Sequence, residues 1–233
     1  MSSKSALNLV FALYWLLGMH VFMHNGGGSG LYLPINAWGW IFGGLVLGLG
    51  LWHGARQPDL KFSRLQAGLW LGALLLLVPM FYPGFEWKAH AIPRLLGLFG
   101  GLLFLLCLHQ WQLTRQERDT LLYLLLGGVA LEALLGLAQY FLLTPGNWIG
   151  YNTQANRPYG IFQQPNVMAS FMATGLALAI WLELRAPPSP WLKALRWGVM
   201  AASSLLLVVL QSRVGQLGGL LALALLAPQL RSQ

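Results

Sequence analysis

The chain has few charged residues and a single cysteine. Of its 233 residues only 9% are charged and 57% are hydrophobic, whereas a soluble domain carries about one-quarter charged residues. This composition excludes a soluble globular fold. Cys107 stands alone inside an apolar run, which excludes an internal disulfide framework and leaves the redox compartment undetermined.

Long apolar runs fill the chain instead. Runs of about 17 to 25 residues recur, and each is long enough to cross a hydrocarbon core of about 30 Å as a helix. They leave no stretch for a separate soluble domain, so we predict one all-α, polytopic transmembrane domain over 1–233. The run 7–23 lacks the A-x-A cleavage pattern of a signal peptide and is predicted to be a retained helix. About eight transmembrane helices are expected, near 7–24, 37–53, 65–82, 92–113, 120–143, 165–183, 197–211 and 214–228.

The basic residues favour one orientation in the membrane. The chain has 14 basic residues and a net charge of +8, and ten of them fall in one set of alternating loops. The other set holds only Lys88, Arg94, Arg157 and Arg213. By the positive-inside rule both termini are predicted to be cytoplasmic, with these four residues outside. The positive charge therefore reports topology, and no nucleic-acid partner is expected.

Two of the outside arginines are candidates for binding phosphate. Arg157 lies in the longest external loop, and Arg213 lies at the tip of the last hairpin. A guanidinium held at the membrane interface can grip phosphate oxygens through paired hydrogen bonds. The alternative is that each arginine simply reaches lipid headgroups by snorkelling.

A polar stretch, RPYGIFQQPNVMASF at 157–171, interrupts the apolar sequence before the sixth helix. Pro165 suits the first turn of a helix, and Gly160 is expected to shape the loop that leads to it. Gln163, Gln164 and Asn166 supply neutral donors and acceptors beside a helix N-terminus, which favours an anion. An ordinary cap and turn would use the same residue types.

Other polar residues point less clearly to chemistry. Glu132 is the acid deepest inside a helix, and Gln139, seven residues later, shares its face, so the two form a possible intramembrane polar site. A protonated, hydrogen-bonded structural role fits Glu132 equally well. His20 and His24 are four apart, but only Met19 and Met23 accompany them, so packing is favoured over metal binding. No phosphate-binding glycine loop or serine-hydrolase motif occurs, and no metal site is predicted.

The 157–166 segment, followed by an apolar helix and then by Gln211-Ser212-Arg213, resembles the membrane half of bacterial O-oligosaccharyltransferases. These protein glycosylation ligases belong with O-antigen ligases and Wzy-type polymerases. The resemblance covers nearly all of this chain but only the first half of the family architecture. The family continues into a large periplasmic loop with a further arginine and a histidine proposed as general base, so we expect this chain to be an N-terminal portion that lacks that base.

The resemblance implies transfer of a glycan from an undecaprenyl-diphosphate carrier, at the periplasmic face of the bacterial inner membrane, without a metal or other cofactor. The acceptor would be a hydroxyl of a pilin-like protein or the lipid A core. It implies that Arg213 holds the diphosphate as the catalytic residue. Gln164, Asn166 and Gly160 would shape the entrance, with Arg157 assisting.

Two other functions remain open on the sequence. A proton-coupled transporter or flippase would use Glu132 as a proton relay and the outside arginines to attract an anionic lipid-linked substrate. A structural protein would bind another envelope protein through its external loops.

Overall fold

The protein is described by a computed structural model that covers residues 3–20, 34–82, 88–142, 157–162, 164–185 and 189–230. Helices make up the described part, and it contains no β-strand. A π-helical turn at Leu13–Leu17 and 3₁₀ turns at Gly18–His20 and Val78–Phe81 extend two of the α-helices. The α-helices are α1 Ser3–Ala12, α2 Pro34–Gly54, α3 Arg64–Leu75, α4 Lys88–Gln110, α5 Arg115–Phe141, α6 Pro165–Glu183, α7 Pro190–Leu210 and α8 Arg213–Leu230.

Each predicted apolar run overlaps one of these α-helices, and the prediction of an all-α membrane protein is confirmed. Five helical segments of the described chain are long and apolar enough to cross a membrane: 64–81, 91–110, 115–141, 165–183 and 190–210. In α8 the apolar part, 213–226, is shorter. The predicted end of the first helix, together with His24, lies outside the described residues. A count of eight spans therefore stays a prediction.

Polar residues at the helix starts explain why several helices begin before the apolar runs do. Thr114 caps α5 by accepting from the backbone N–H of Glu117, whose carboxylate accepts in return from the N–H of Thr114 at 2.8 Å. Ser63 and Gln66 form the same reciprocal box at the start of α3. Such boxes satisfy N–H groups that a helix cannot pair internally. They allow α5 to begin at Arg115, about one turn before its apolar run.

The main core forms around α6. The facing sides of α5, α6 and α7 are buried together, and α8 packs along α6. Small residues permit close approach: a Cβ at Gly175 would collide with Val129 of α5, and a Cβ at Gly215 of α8 would lie 2.5 Å from the Cβ of Ala169. Half of the α6 span is buried, which makes α6 the central helix of this part of the bundle.

A smaller core joins α1, α2, α4 and α5. Leu7, Val46, Trp111 and Leu121 are its buried members. Trp111 also stacks on His53, with ring centroids 4.6 Å apart. The α3 helix packs on α4 at the edge of this group. Between the two cores lies an apolar cleft.

Contacts between polar residues join the starts of α1 and α5 and the end of α2 at one end of the bundle. Lys4 pairs with Glu117 at 2.9 Å, which joins the starts of α1 and α5. Ser3 Oγ lies 3.1 Å from His53 Nδ1, which joins the start of α1 to the end of α2. These contacts agree with the predicted grouping of the basic loops.

One basic residue assigned to these loops is instead buried within the bundle. The sequence places Arg196 before a helix at 197, but α7 begins at Pro190 and Arg196 is 2% exposed. Its Nε pairs with Glu183 of α6, and its Nη1 donates to Tyr123 Oη of α5 at 2.6 Å. Because the charge is paired and hydrogen-bonded, its burial is tolerated. The prediction was wrong there since hydropathy alone does not reveal such a partner.

Candidate functional site

The loop 157–162, which precedes α6, is tucked into the bundle. Tyr159, Gly160 and Ile161 are buried, and the N–H of Phe162 donates to the carbonyl of Tyr159 at 3.0 Å to close a turn. Gly160 has φ +61°, a left-handed conformation that costs a residue with a Cβ about 1–2 kcal/mol. A Cβ at this position would also collide with Oε1 of Glu132. Both the backbone and the neighbouring carboxylate therefore require glycine.

Gln139 of α5 binds this loop through its whole side-chain amide. Its Oε1 accepts from the N–H of Gly160 at 2.7 Å and from the N–H of Tyr159 at 3.0 Å, and its Nε2 donates to the carbonyl of Gly160 at 2.9 Å. Buried backbone groups are costly when unpaired. Gln139 therefore supplies the partners that a sheet or a helix would otherwise provide.

Glu132 lies two helical turns earlier on the same face, as the seven-residue spacing predicts. Its side chain is fully buried, and Oε1 accepts from the N–H of Ile161 at 2.7 Å. Oε2 lies 3.6 Å from Nε2 of His20, yet neither atom has a hydrogen-bond partner among the described residues. The predicted polar face of α5 thus anchors the loop. Oε2 of Glu132 does not take part in this anchoring and lies beside His20.

Arg157 connects the loop to the last hairpin. Its Nη1 donates to the carbonyl of Leu210 at 3.2 Å. Leu210 is the final residue of α7, and the last carbonyls of a helix lack internal partners. The guanidinium therefore caps α7 immediately before the turn that leads to α8.

That turn presents Arg213 to solvent. Gln211 has φ +50° and reverses the chain direction, and Ser212 is buried and accepts from the N–H of Gly215 at 3.4 Å. Arg213 is the first residue of α8; it is exposed and pairs with no side chain in the described part of the protein. Gly215 packs against Ala169, so the start of α8 lies beside the start of α6.

Among the described residues, the side-chain amides at the start of α6 have no hydrogen-bond partner. Gln164 occupies the N-cap position, but its side chain makes no capping hydrogen bond and is exposed. The side chain of Asn166 is also exposed, and only its backbone carbonyl accepts, from Ser170 Oγ at 3.1 Å. The cap-and-turn alternative is therefore not realised by these two side chains. Gln163 lies outside the described residues.

The seven predicted site residues fall into two layers. Glu132, Gln139 and Gly160 are buried and build the loop. Arg157, Gln164, Asn166 and Arg213 are exposed, at the end of the bundle away from Lys4 and Glu117. Sequence reasoning named Ser212 only as part of the motif around Arg213 and missed its contact with the N–H of Gly215, although a serine directly before a helix is a common N-cap. It also missed the nearness of His20 to Glu132.

The four exposed residues offer cationic and amide donors, which are suited to an anion with several oxygens. Among the described residues, no three His, Cys, Asp or Glu side chains come together as a metal site.

Comparison with known proteins finds one family in this region. A family model of protein glycosylation ligases matches residues 158–182. No curated protein and no solved structure matches the chain significantly. The matched segment comprises most of the docked loop and nearly all of α6, including Gly160, Gln164 and Asn166. In this segment the chain is similar to protein glycosylation ligases, which supports glycan transfer to protein as its general function.

Proposed function

We propose that this protein takes part in transferring a glycan from an undecaprenyl-diphosphate carrier to a hydroxyl group of an acceptor protein. One observation carries the proposal. The segment that is similar to protein glycosylation ligases, 158–182, is joined through the neighbouring Arg157 to the hairpin that presents Arg213. Two stretches about 50 residues apart in sequence thereby contribute to one surface.

Arg213 is assigned to the diphosphate of the carrier. The Arg213 guanidinium is exposed and has no partner among the described side chains, so it is available for paired hydrogen bonds to phosphate oxygens. As the bond between glycan and carrier breaks, negative charge grows on the departing diphosphate. A cation fixed at that position stabilises the transition state more than the ground state. Guanidinium groups would supply this charge without a metal ion.

Gln164 and Asn166 are assigned to the entrance of the site, and Arg157 to its support. The two amides flank the N-terminus of α6, whose unpaired N–H groups favour an anion. Arg157 donates one N–H to Leu210 and keeps further donors for the same anion, since a guanidinium carries five N–H groups. Lipid A core is the other acceptor that the resemblance implies.

The uneven distribution of basic residues between the two ends of the bundle supports one orientation of the protein in the membrane. The end of the bundle that gathers Lys4 and the basic residues of α3, α5 and α7 would face the cytoplasm of a bacterial inner membrane. The surface with Arg157 and Arg213 would then face the periplasm, where the lipid-linked glycan is consumed.

The test is a binding measurement on the purified chain in lipid nanodiscs with a fluorescent undecaprenyl-diphosphate analogue. Loss of a charged hydrogen-bonding group costs about 1.5–3 kcal/mol, so Arg213→Ala should weaken binding by about 10- to 100-fold. Arg94→Ala is the matched control, because Arg94 is exposed and belongs to the same outside set. Equal affinity of the wild type and Arg213→Ala would overturn the proposal.

A proton-coupled transporter of a lipid-linked anion is the second candidate. The observation in its favour is the buried Oε2 of Glu132, which has no hydrogen-bond partner among the described residues and lies beside His20. An ionisable group inside a membrane protein is a candidate proton carrier. This function predicts pH-dependent uptake into proteoliposomes that Glu132→Gln abolishes.

A further inference from the structure

A large apolar cleft lies between the two cores, away from Arg157 and Arg213. Its volume is about 980 Å³, at the upper end of the range of small-molecule pockets. Residues of α1, α2, α4, α5 and α6 form its walls, and Ile161 and Phe162 of the docked loop close one end. Aromatic rings such as Tyr14 and Phe42 line it. A pocket of this size and chemistry suits a hydrocarbon chain.

Glycines keep the cleft open. Gly43 of α2, together with Gly97 and Gly101 of α4, lines the cleft, and a Cβ added at any of the three would meet nothing within 4 Å. Gly44 also faces open space but does not line the cleft. Glycine is unfavourable within a helix, so three of them around one cavity are consistent with space reserved for a ligand.

One unpaired cation marks the far end of the cleft. Arg118 is the charged residue of the lining, and it lies in the first turns of α5. The nearby carboxylates are already engaged, since Glu117 pairs with Lys4 at 2.9 Å and Asp119 lies 4.0 Å from Arg115. The Arg118 guanidinium has no partner among the described side chains. It is therefore available for an anion at the mouth of the cleft.

The cleft is long enough to enclose one lipid chain. About fourteen residues of α5 separate Arg118 from Glu132, which binds Ile161. At about 1.5 Å per residue they span about 21 Å, whereas one leaflet of the hydrocarbon core is roughly 15 Å thick. A chain that starts at Arg118 is thus enclosed along its whole length and points toward the docked loop.

The position of Arg118 indicates at which end of the cleft the headgroup of a bound lipid would lie. At the loop end the polar lining residue is the uncharged Gln164, and neither Arg157 nor Arg213 lines the cleft. An anionic headgroup therefore finds its cation at Arg118, at the end opposite to the outside arginines. A carrier held by Arg213 would have its diphosphate at the other end of the bundle.

We propose that the cleft binds an anionic membrane phospholipid, with its phosphate at Arg118 and one acyl chain extending toward Ile161 and Phe162. The lipid fills the space left by the glycines and supports the docked loop from beneath. Basic residues near the membrane surface attract anionic lipids, and here the apolar cleft adds a defined place for the chain. The phosphate position at Arg118 is separate from the proposed diphosphate position at Arg213, which lies at the opposite end of the bundle, although Gln164 borders both sites.

Native mass spectrometry of the full chain, exchanged into detergent with dioleoyl phosphatidylglycerol, tests this site. Arg118→Gln should reduce retained phosphatidylglycerol by about tenfold or more, as expected for the loss of a charged hydrogen bond. Arg115→Gln is the control on the same helix turn, because Arg115 lies beside Asp119, and it should retain the lipid within about twofold. Dioleoyl phosphatidylcholine has the same acyl chains but a zwitterionic headgroup, so its retention shows how much the acyl chains alone contribute. It should be retained less than dioleoyl phosphatidylglycerol.

A second pair of variants tests whether the acyl chain of the lipid occupies the cleft. Gly43→Leu should fill the cleft and expel the lipid, whereas Gly44→Leu, its neighbour, should leave retention unchanged; Gly97→Leu probes the same space if Gly43→Leu does not fold. Variants are compared only when they are monodisperse with wild-type helical content. Unchanged retention in Arg118→Gln, or in a folded cleft-filling variant, would overturn the proposal. Preferential retention of undecaprenyl phosphate in the same cleft would overturn it too, by assigning the cleft to the carrier.

Discussion

Gln139 and Gly160 are joined by a reciprocal pair of hydrogen bonds: the glutamine Oε1 accepts from the glycine N–H at 2.7 Å, and its Nε2 donates to the glycine carbonyl at 2.9 Å. Gly160 is thereby paired as it would be in regular secondary structure, although it lies in a loop. The carbonyl and N–H of one residue fix both the position and the direction of the backbone. The pair makes the loop before α6 part of the folded bundle.

The first prediction concerns this pair. Gln139→Leu should leave buried backbone groups of Tyr159 and Gly160 unpaired, at about 1–3 kcal/mol for each group. The thermal unfolding midpoint should fall, and hydrogen exchange of 159–161 should accelerate. Gln116→Leu is the control, since Gln116 is exposed on the same helix. Equal exchange of 159–161 in wild type and Gln139→Leu would show that the loop is held by other contacts.

The second prediction concerns Gly160 itself. Gly160→Ala should destabilise the protein by about 1–2 kcal/mol from the left-handed backbone alone, and by more because the new Cβ collides with Glu132. Gly198→Ala is the matched control in α7, where a Cβ meets nothing within 4 Å. That variant should be stabilised by roughly 0.5–1 kcal/mol. Opposite signs of the two shifts in unfolding midpoint are expected, and a stabilising Gly160→Ala would contradict the loop geometry.

The helix positions and the inward face of α5 follow from the sequence. Apolar runs locate the helices because a membrane requires continuous hydrophobic surface, and a spacing of seven places Glu132 and Gln139 on one face. The first residues of the helices are predicted less accurately from the sequence. Where Thr114 or Pro190 begins a helix ahead of its apolar run, hydropathy places the boundary several residues too late.

The docking of the loop could not be derived from the sequence. Nothing in the local pattern says that the N–H groups of Tyr159, Gly160 and Ile161 pair with two side chains of α5, since such contacts depend on how the helices pack. The bond from Arg157 to Leu210 is of the same kind. Sequence reasoning named the residues of the site, whereas their division into a buried supporting layer and an exposed layer emerges only from the fold.

A third prediction separates an anchoring role of Glu132 from proton transport. Glu132→Gln keeps an oxygen that can accept from the N–H of Ile161, so exchange of the loop should stay close to wild type. Glu132→Leu removes the acceptor and should cost about 1–3 kcal/mol. Hydrogen exchange of 159–161 in both variants measures this difference, with Glu117→Gln as a control distant from the loop.

The uptake experiment completes that comparison. A structural anchor predicts that Glu132→Gln leaves any transport activity of proteoliposomes unchanged across pH, whereas a proton relay predicts that the activity is lost. Loss of pH-dependent uptake together with an intact loop would favour the transporter over the transferase.

The last prediction concerns coupling between Arg157 and Arg213. Arg157 donates to Leu210, three residues before Arg213, so Arg157→Leu should loosen the turn and displace the guanidinium of Arg213. Residues that act through a shared element show non-additive effects of about 0.5–3 kcal/mol, whereas independent sites add to within about 0.3–0.5 kcal/mol. A double-mutant cycle of Arg157→Leu and Arg213→Ala in carrier-analogue binding should therefore be non-additive.

Arg94→Ala combined with Arg213→Ala is the matched control cycle and should be additive, because Arg94 makes no described contact with the hairpin. Hydrogen exchange of 208–213 without any carrier gives an independent structural readout, and Arg157→Leu should accelerate it. Faster exchange together with additive effects on binding would mean that Arg157 holds the hairpin in place. It would also mean that carrier binding by Arg213 does not depend on this support. Unchanged exchange in Arg157→Leu would contradict the structural link, because the hydrogen bond to Leu210 would then contribute nothing to holding the turn.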